Sequence, residues 1–166
     1  MLRIHALREA GQAFLETVDE AAGLDAAAWE ARICRYSRRG RQVLAVVEDP
    51  GRREWVAMAG AFVDCERDSD EFELPDPPVS VGDRWAMVWG MYVEPCHRGR
   101  GVGDALCAEL YRWAGEDAGV DWLGLHVREG NTAAIALYRR HGYEIVARHA
   151  HPALGVTSLV LVRPVT

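Results

Sequence analysis

Apolar positions along the chain alternate with polar ones in short runs and recur every three or four residues in longer ones. The two periods divide the chain into strands and helices. Residues 3–7 read as a short strand, and residues 8–21 as a helix that sets Phe14, Leu15 and Val18 on one face. A second helix is predicted over residues 26–38, with Asp25 placed to cap its first turn and Gly40 following a basic last turn. The β-branched run 42–48, the turn Asp49-Pro50-Gly51 and the run 54–64 together predict a hairpin.

Residues 65–82 are acidic and proline-rich and interrupt two strands; a mobile loop, a lid and a disordered segment are open readings. The apolar stretch Trp85–Val93 predicts a buried strand. A glycine-rich turn follows it, then a helix from Val102 to about Asp117 with Leu106, Leu110 and Trp113 inward. Strand 122–127, helix 131–141 and strands 143–148 and 158–162 complete the order β-α-α-β-β-β-α-β-α-β-β. That order predicts a mixed α/β fold (α+β) with a largely antiparallel sheet. The length of 166 residues predicts one domain, 1–166.

Composition narrows the class. Charges or glycines break every apolar stretch before it reaches the roughly 18 residues of a membrane helix, so no membrane partner is expected. The first thirty residues carry Glu9, Glu16, Asp19, Glu20 and Asp25 and no apolar h-region, which argues against a signal peptide and for a cytoplasmic location. Cys34, Cys65, Cys96 and Cys107 form no C-x-x-C pair and read as reduced thiols rather than a zinc or disulfide framework. The net charge of -6 offers nucleic acid no diffuse attraction.

Chemistry concentrates in the turn Val93-Glu94-Pro95-Cys96-His97-Arg98-Gly99-Arg100-Gly101-Val102-Gly103-Asp104. Its glycines let a ligand approach the backbone, and the following helix start offers unpaired N–H donors and a positive dipole end, which together suit a pyrophosphate. A tight turn with close helix packing is the plainer reading of the same glycines. No Gly-Lys-Ser/Thr follows, so the turn is not a Walker A loop. Only Gly99-Arg100-Gly101 starts a dinucleotide fingerprint, and Asp104 stands where its last glycine belongs.

Arg98-x-x-Gly101-x-Gly103 resembles the Q/R-x-x-G-x-G/A acyl-CoA signature of the GCN5-related N-acetyltransferase (GNAT) superfamily. A second block, Leu125 to Tyr143, is similar to that superfamily's V-x-x-x-N-x-x-A-x-x-L-Y-x-x-x-G-F, with Tyr143 in place of phenylalanine, and to ribosomal-protein N-terminal acetyltransferases. The motif resemblance spans roughly residues 85–148. It implies a six- to seven-stranded sheet flanked by about four helices, with Trp85–Val93 and 122–127 as a splayed pair holding acyl-CoA. The backbone of Met91 and Val93 would pair with the pantetheine arm, and the thioester carbonyl would receive an N–H from the Met91 region. The implied cofactor-binding set is Met91, Tyr92, Val93, Arg98, Gly99, Arg100, Gly101, Val102, Gly103, Asp104, Asn131 and Tyr138.

The implied activity is transfer of the acetyl group of acetyl-CoA to a primary amine on a small molecule or a peptide. An acyl-CoA-binding or sensing domain without turnover is the alternative. Tyr138 matches the tyrosine that protonates the leaving thiolate, a role that suits a phenol. His126 lies on the strand face opposite Leu123, Leu125 and Val127, where relatives often carry a glutamate; a catalytic base and a structural histidine are both open readings. Met87 stands where another branch carries a glutamate base. Asn131 either meets the cofactor or caps the helix through the amides of Ala133 or Ala134.

Asp64, Glu66, Asp68, Asp70, Glu71 and Glu73 either steer a cationic amine or form a solvated loop. No metal is expected, since the implied chemistry needs none and His5, His97, His126, His141, His149 and His151 show no ligand spacing; as candidates for the base, Glu94 and His97 read instead as loop surface. Strand 158–162 either completes a monomer's sheet or contributes to a homodimer.

Overall fold

The computed structural model describes residues 2–13, 17–35, 41–63, 84–151 and 155–166. The acidic segment, together with Phe14, Leu15 and the predicted helix end at Gly40, lies outside the described residues. The chain opens with helix α1 (Leu2–Ala10), a 3₁₀ turn (Gly11–Ala13), α2 (Val18–Ala22) and α3 (Ala26–Arg35). Strands β1 (Gln42–Asp49), β2 (Glu54–Val63) and β3 (Trp85–Val93) follow. After a 3₁₀ turn (Pro95–His97) come α4 (Val102–Trp113), β4 (Trp122–Arg128), α5 (Thr132–Arg140), β5 (Glu144–His151) and β6 (Val156–Pro164).

The first predicted strand is a helix. Leu2, Ala6 and Leu7 are its buried positions; Leu2 and Ala6 lie one helical turn apart, and the adjacent Ala6 and Leu7, which a strand would send to opposite faces, are both buried. The predicted helix over 8–21 is likewise divided: α1 ends at Ala10, and α2 restarts behind a capping box. There Thr17 Oγ1 accepts from the Glu20 amide at 3.3 Å and Glu20 Oε2 accepts from the Thr17 amide at 2.7 Å. Asp25 caps α3 as expected, its Oδ1 accepting from the Ala28 amide at 2.8 Å.

The six strands form one sheet in the order β1-β2-β3-β4-β6-β5. Every neighbouring pair is antiparallel except β3 and β4. β6 is therefore an inner strand, and the run predicted as 158–162 completes this chain's own sheet. The parallel pair is short: Trp85–Val88 meets Trp122–Leu125, although β3 continues to Val93 and β4 to Arg128. The two strands thus part at their carboxyl ends, as the resemblance implied.

Helix α4 packs over one face through Leu106, Leu110 and Trp113. Alanines at 57, 59 and 61, fully buried on alternate positions of β2, let it lie close to the sheet. Burying each of these leucines is worth about 1.5–3 kcal/mol. Leu123, Leu125, Leu159 and Leu161 extend the same core under α5. On the opposite face, Leu2 and Ala6 of α1 meet Met58 and Tyr92. The sheet is therefore covered on both sides around β2 and β3. Arg84 anchors the end of the α4 unit by donating to the carbonyl oxygens of Gly119 and Ala118, both at 2.8 Å, where the helix dipole favours a cation.

Candidate active site

A bulge in β3 prepares the parted end of the sheet. Met58 pairs with Tyr92 and Gly60 with Trp89, so Gly90 and Met91 together oppose the single residue Ala59. Gly90 sits at φ 65°, a conformation that a side chain would strain. The extra residue reverses the alternation along the strand. Ala86 and Val88 face the α4 core and so do Met91 and Val93, while Tyr92 joins the α1 side. It also takes the Met91 backbone out of the regular ladder with β2, just where β3 has left β4.

The glycine-rich turn lies at that end. Gly101 is the N-cap of α4 at φ 79°, and a Cβ built there or on Gly99 would meet nothing within 4 Å, so the backbone is uncovered at both positions. The amides of Val102, Gly103 and Asp104 occupy the first turn, where no intrahelical acceptor exists. Gly103 serves packing instead: its Cβ would come within 3.1 Å of Leu137 Cδ2 on α5. Close helix packing thus accounts for Gly103, while Gly99 and Gly101 leave the backbone uncovered.

The charged residues of the turn are not equivalent. Arg98 is engaged: its Nε donates to the Val93 carbonyl at 2.8 Å and its Nη2 to Glu9 Oε2 at 2.6 Å, and its guanidinium lies 5.8 Å from the Tyr92 ring centroid. Its bond to Glu9 is the main reason that carboxyl lies below its ordinary range. Burial first, and then the Glu9 charge, push the Tyr92 phenol up to about 12. Asp104 pairs with His141 at 3.0 Å and Arg140 at 3.1 Å, tying α4 to the end of α5, and these two partners hold its carboxyl low. Arg100 is exposed, and no ion pair among the described residues engages it.

Asn131 caps α5, accepting from the Ala134 amide at 3.2 Å. Tyr138 is buried beside Tyr143, ring centroids 5.6 Å apart in an edge-to-face arrangement. Burial raises its phenol well above the ordinary value, so it stays protonated at neutral pH and able to donate. His126 is half-buried on β4 one residue beyond the last β3–β4 pair, at the opening of the cleft and on the face away from Leu125 and Val127.

Sequence reasoning missed one cluster. Cys96 Sγ lies 3.1 Å from His97 Nδ1, and His97 Nε2 lies 3.2 Å from Asp49 Oδ2 of the β1–β2 turn. Glu94 Oε2 is 3.9 Å from the sulfur and 3.7 Å from Nδ1. The adjacency of Glu94, Cys96 and His97 was a local signal; the contribution of Asp49, 48 residues earlier, was not.

Residues 6–143 match the acetyltransferase (GNAT) family. A mycothiol acetyltransferase of Salinispora tropica is 38% identical over 130 residues, covering 67% of this chain and 41% of that protein. The chain thus spans about two fifths of that relative's length. An acetyltransferase of the GNAT family from Streptococcus pneumoniae superposes with a TM-score of 0.74 at 15% identity, covering 99% of this chain and 92% of that one. Arabidopsis thaliana NAA60 in complex with acetyl-CoA gives 0.57 at 23% identity, covering 76% and 77%. No helix among the described residues is long and apolar enough to cross a membrane.

Proposed function

The chain belongs to the acetyltransferase (GNAT) family, and from that premise we propose that it transfers the acetyl group of acetyl-CoA directly to a primary amine. The observation that carries the reading is the parting of β3 from β4 beyond Val88 and Leu125. The parted ends lead into the amino-terminal ends of α4 and α5. A carboxyl-end crevice flanked by helix N-termini favours an extended anionic ligand.

In this reading the amides of Val102, Gly103 and Asp104 bind the pyrophosphate, with Gly99 and Gly101 keeping the approach open and Arg100 adding charge. Arg98 positions the turn from behind through Val93 and Glu9. The backbone around Met91, Tyr92 and Val93 holds the pantetheine arm, and the bulged Met91 amide faces the thioester oxygen as charge develops on it. The amine nitrogen attacks the carbonyl carbon, the C–S bond breaks, and Tyr138 supplies the proton that the departing thiolate takes up. The amine loses its own proton to His126, directly or through water. Asn131 holds the start of the helix that carries Tyr138.

The acceptor is a small-molecule or peptide amine, admitted from the α1 side of the sheet. A reducing, cytoplasmic setting accords with the free thiols of Cys96 and Cys107. Calorimetric titration of acetyl-CoA into the wild type and Gly101→Glu tests the cofactor site. Binding by the wild type and its loss in a folded variant support the reading, and an amine screen by thiol release then identifies the acceptor. No binding by the wild type sinks it.

A further inference from the structure

We propose that Glu94, Cys96 and His97 form a binding site for a zinc-class divalent metal ion, oriented by Asp49, in the turn between β3 and α4. The donor set is a thiolate, an imidazole nitrogen and a carboxylate, the mixture that suits zinc rather than magnesium or calcium. Their three separations are 3.1 Å between Sγ and Nδ1, 3.7 Å between Nδ1 and Oε2, and 3.9 Å between Oε2 and Sγ. Bond lengths of about 2.3 Å to sulfur and about 2.0–2.1 Å to nitrogen and oxygen place tetrahedral ligands roughly 3.3–3.5 Å apart. Each observed edge is thus within about half an ångström of that geometry.

The support behind the imidazole points the same way. Metal-bound histidines characteristically donate their second ring nitrogen to a carboxylate, which fixes tautomer and ring orientation. Asp49 fills that place. Its Oδ1 is held by the amides of Gly51 at 2.8 Å and Arg52 at 3.2 Å, leaving Oδ2 to accept from His97 Nε2. With two backbone amides and the imidazole all turned toward it, this carboxylate serves as the acceptor for Nε2. In the neutral ring, Nδ1 then carries a lone pair turned to the sulfur. The Cys96 thiol, which has one proton to give, lies 3.1 Å from that nitrogen and 3.9 Å from Glu94 Oε2. On coordination the metal takes the proton's place, and the proton passes to solvent.

The site draws its three ligands from one rigid turn, residues 94–97, closed by the 3₁₀ bonds from the His97 amide to the Glu94 carbonyl and from the Arg98 amide to that of Pro95. Cys96 is exposed, which gives the ion a route in and leaves a fourth position to water. Thiolate and carboxylate together neutralise a divalent cation.

The test is a titration of tag-free wild type, Cys96→Ser and Asp49→Asn with zinc ion against a chromophoric chelator, with cobalt as a spectroscopic substitute. The wild type is expected to take up one zinc and to show a thiolate-to-cobalt charge-transfer band. Cys96→Ser should lose the band and weaken zinc binding at least 100-fold. Asp49→Asn should keep the band but weaken binding about 10–100-fold, the effect of removing a carboxylate behind a ligating histidine. Circular dichroism checks that both variants are folded. Failure of the wild type to compete for zinc overturns the proposal, as does undiminished binding in Cys96→Ser, which would assign the ion to other residues. Because neither outcome depends on acetyl-CoA, the result is independent of the acetyltransferase reading.

Discussion

Gly60 of β2 and Trp89 of β3 are cross-strand partners, and a Cβ added at Gly60 would lie 2.3–2.6 Å from three indole atoms of Trp89. Side chains opposite each other in antiparallel strands project from the same face, so the indole occupies the space above Gly60. Gly60→Ala would relieve the strand of a glycine, worth roughly 0.5–1 kcal/mol. Overpacking of this kind costs about 1–3 kcal/mol. The net expectation is a loss of about 1–2 kcal/mol, and for a chain of this length each kcal/mol lowers Tm by about 2–4 °C. Thermal and urea unfolding of wild type, Gly60→Ala, Trp89→Leu and the double variant form the cycle that isolates the pair. The double variant should be more stable than the sum of its parts by about 1–2 kcal/mol, because the methyl group fills part of the space the indole vacates. A coupling within about 0.5 kcal/mol of zero, the range expected of independent sites, would refute the packing argument.

Tyr138→Phe keeps the ring that meets Tyr143 edge to face and removes only the hydroxyl proposed to protonate the thiolate, so acetyl-CoA affinity should stay within about threefold while kcat falls about 10²- to 10⁴-fold; an unchanged kcat would remove Tyr138 from the chemistry. Asp104→Asn should lower stability at pH 7 by less than about 1 kcal/mol, since Asp104 and Arg140 are exposed and His141 is only partly buried. The Asp104 carboxyl titrates lower in the folded chain than in the unfolded one. Its contribution is therefore present above the unfolded value of about 3.9 and disappears as pH falls through the lower folded value. Urea unfolding of both proteins across that window checks the sign, and a difference that grows in acid would contradict it.

The elements that carried strong periodicity were legible without coordinates. The hairpin, the buried strand into the glycine-rich turn, α4 with Leu106, Leu110 and Trp113 inward, and Asn131 as a cap all follow from local pattern. Residues 3–7 misled because Ile4 and Ala6 suggest alternation, whereas the buried spacing includes Leu2 and Leu7 and depends on the floor that Met58 and Tyr92 provide. The bulge at Gly90 was hidden, since one extra residue changes strand register without changing composition. The pairing of Arg98 with Glu9 was hidden because the two residues are 89 positions apart. Local motifs reveal which backbone shapes are available; which charges are already engaged is a property of distant pairing.

The sheet can also be regarded as two three-stranded ribbons, β1-β2-β3 and β4-β6-β5, joined along a seam only four residue pairs long. Such a seam is mechanically compliant compared with the long antiparallel ladders on either side. Amides lining the notch should exchange with solvent faster than those of β2 or β6, and an extended ligand that hydrogen-bonds to both lips would act as an inserted strand. Occupancy would then be felt by the whole molecule as added cooperativity, joining ribbons that otherwise communicate through a few rungs and the helices above them.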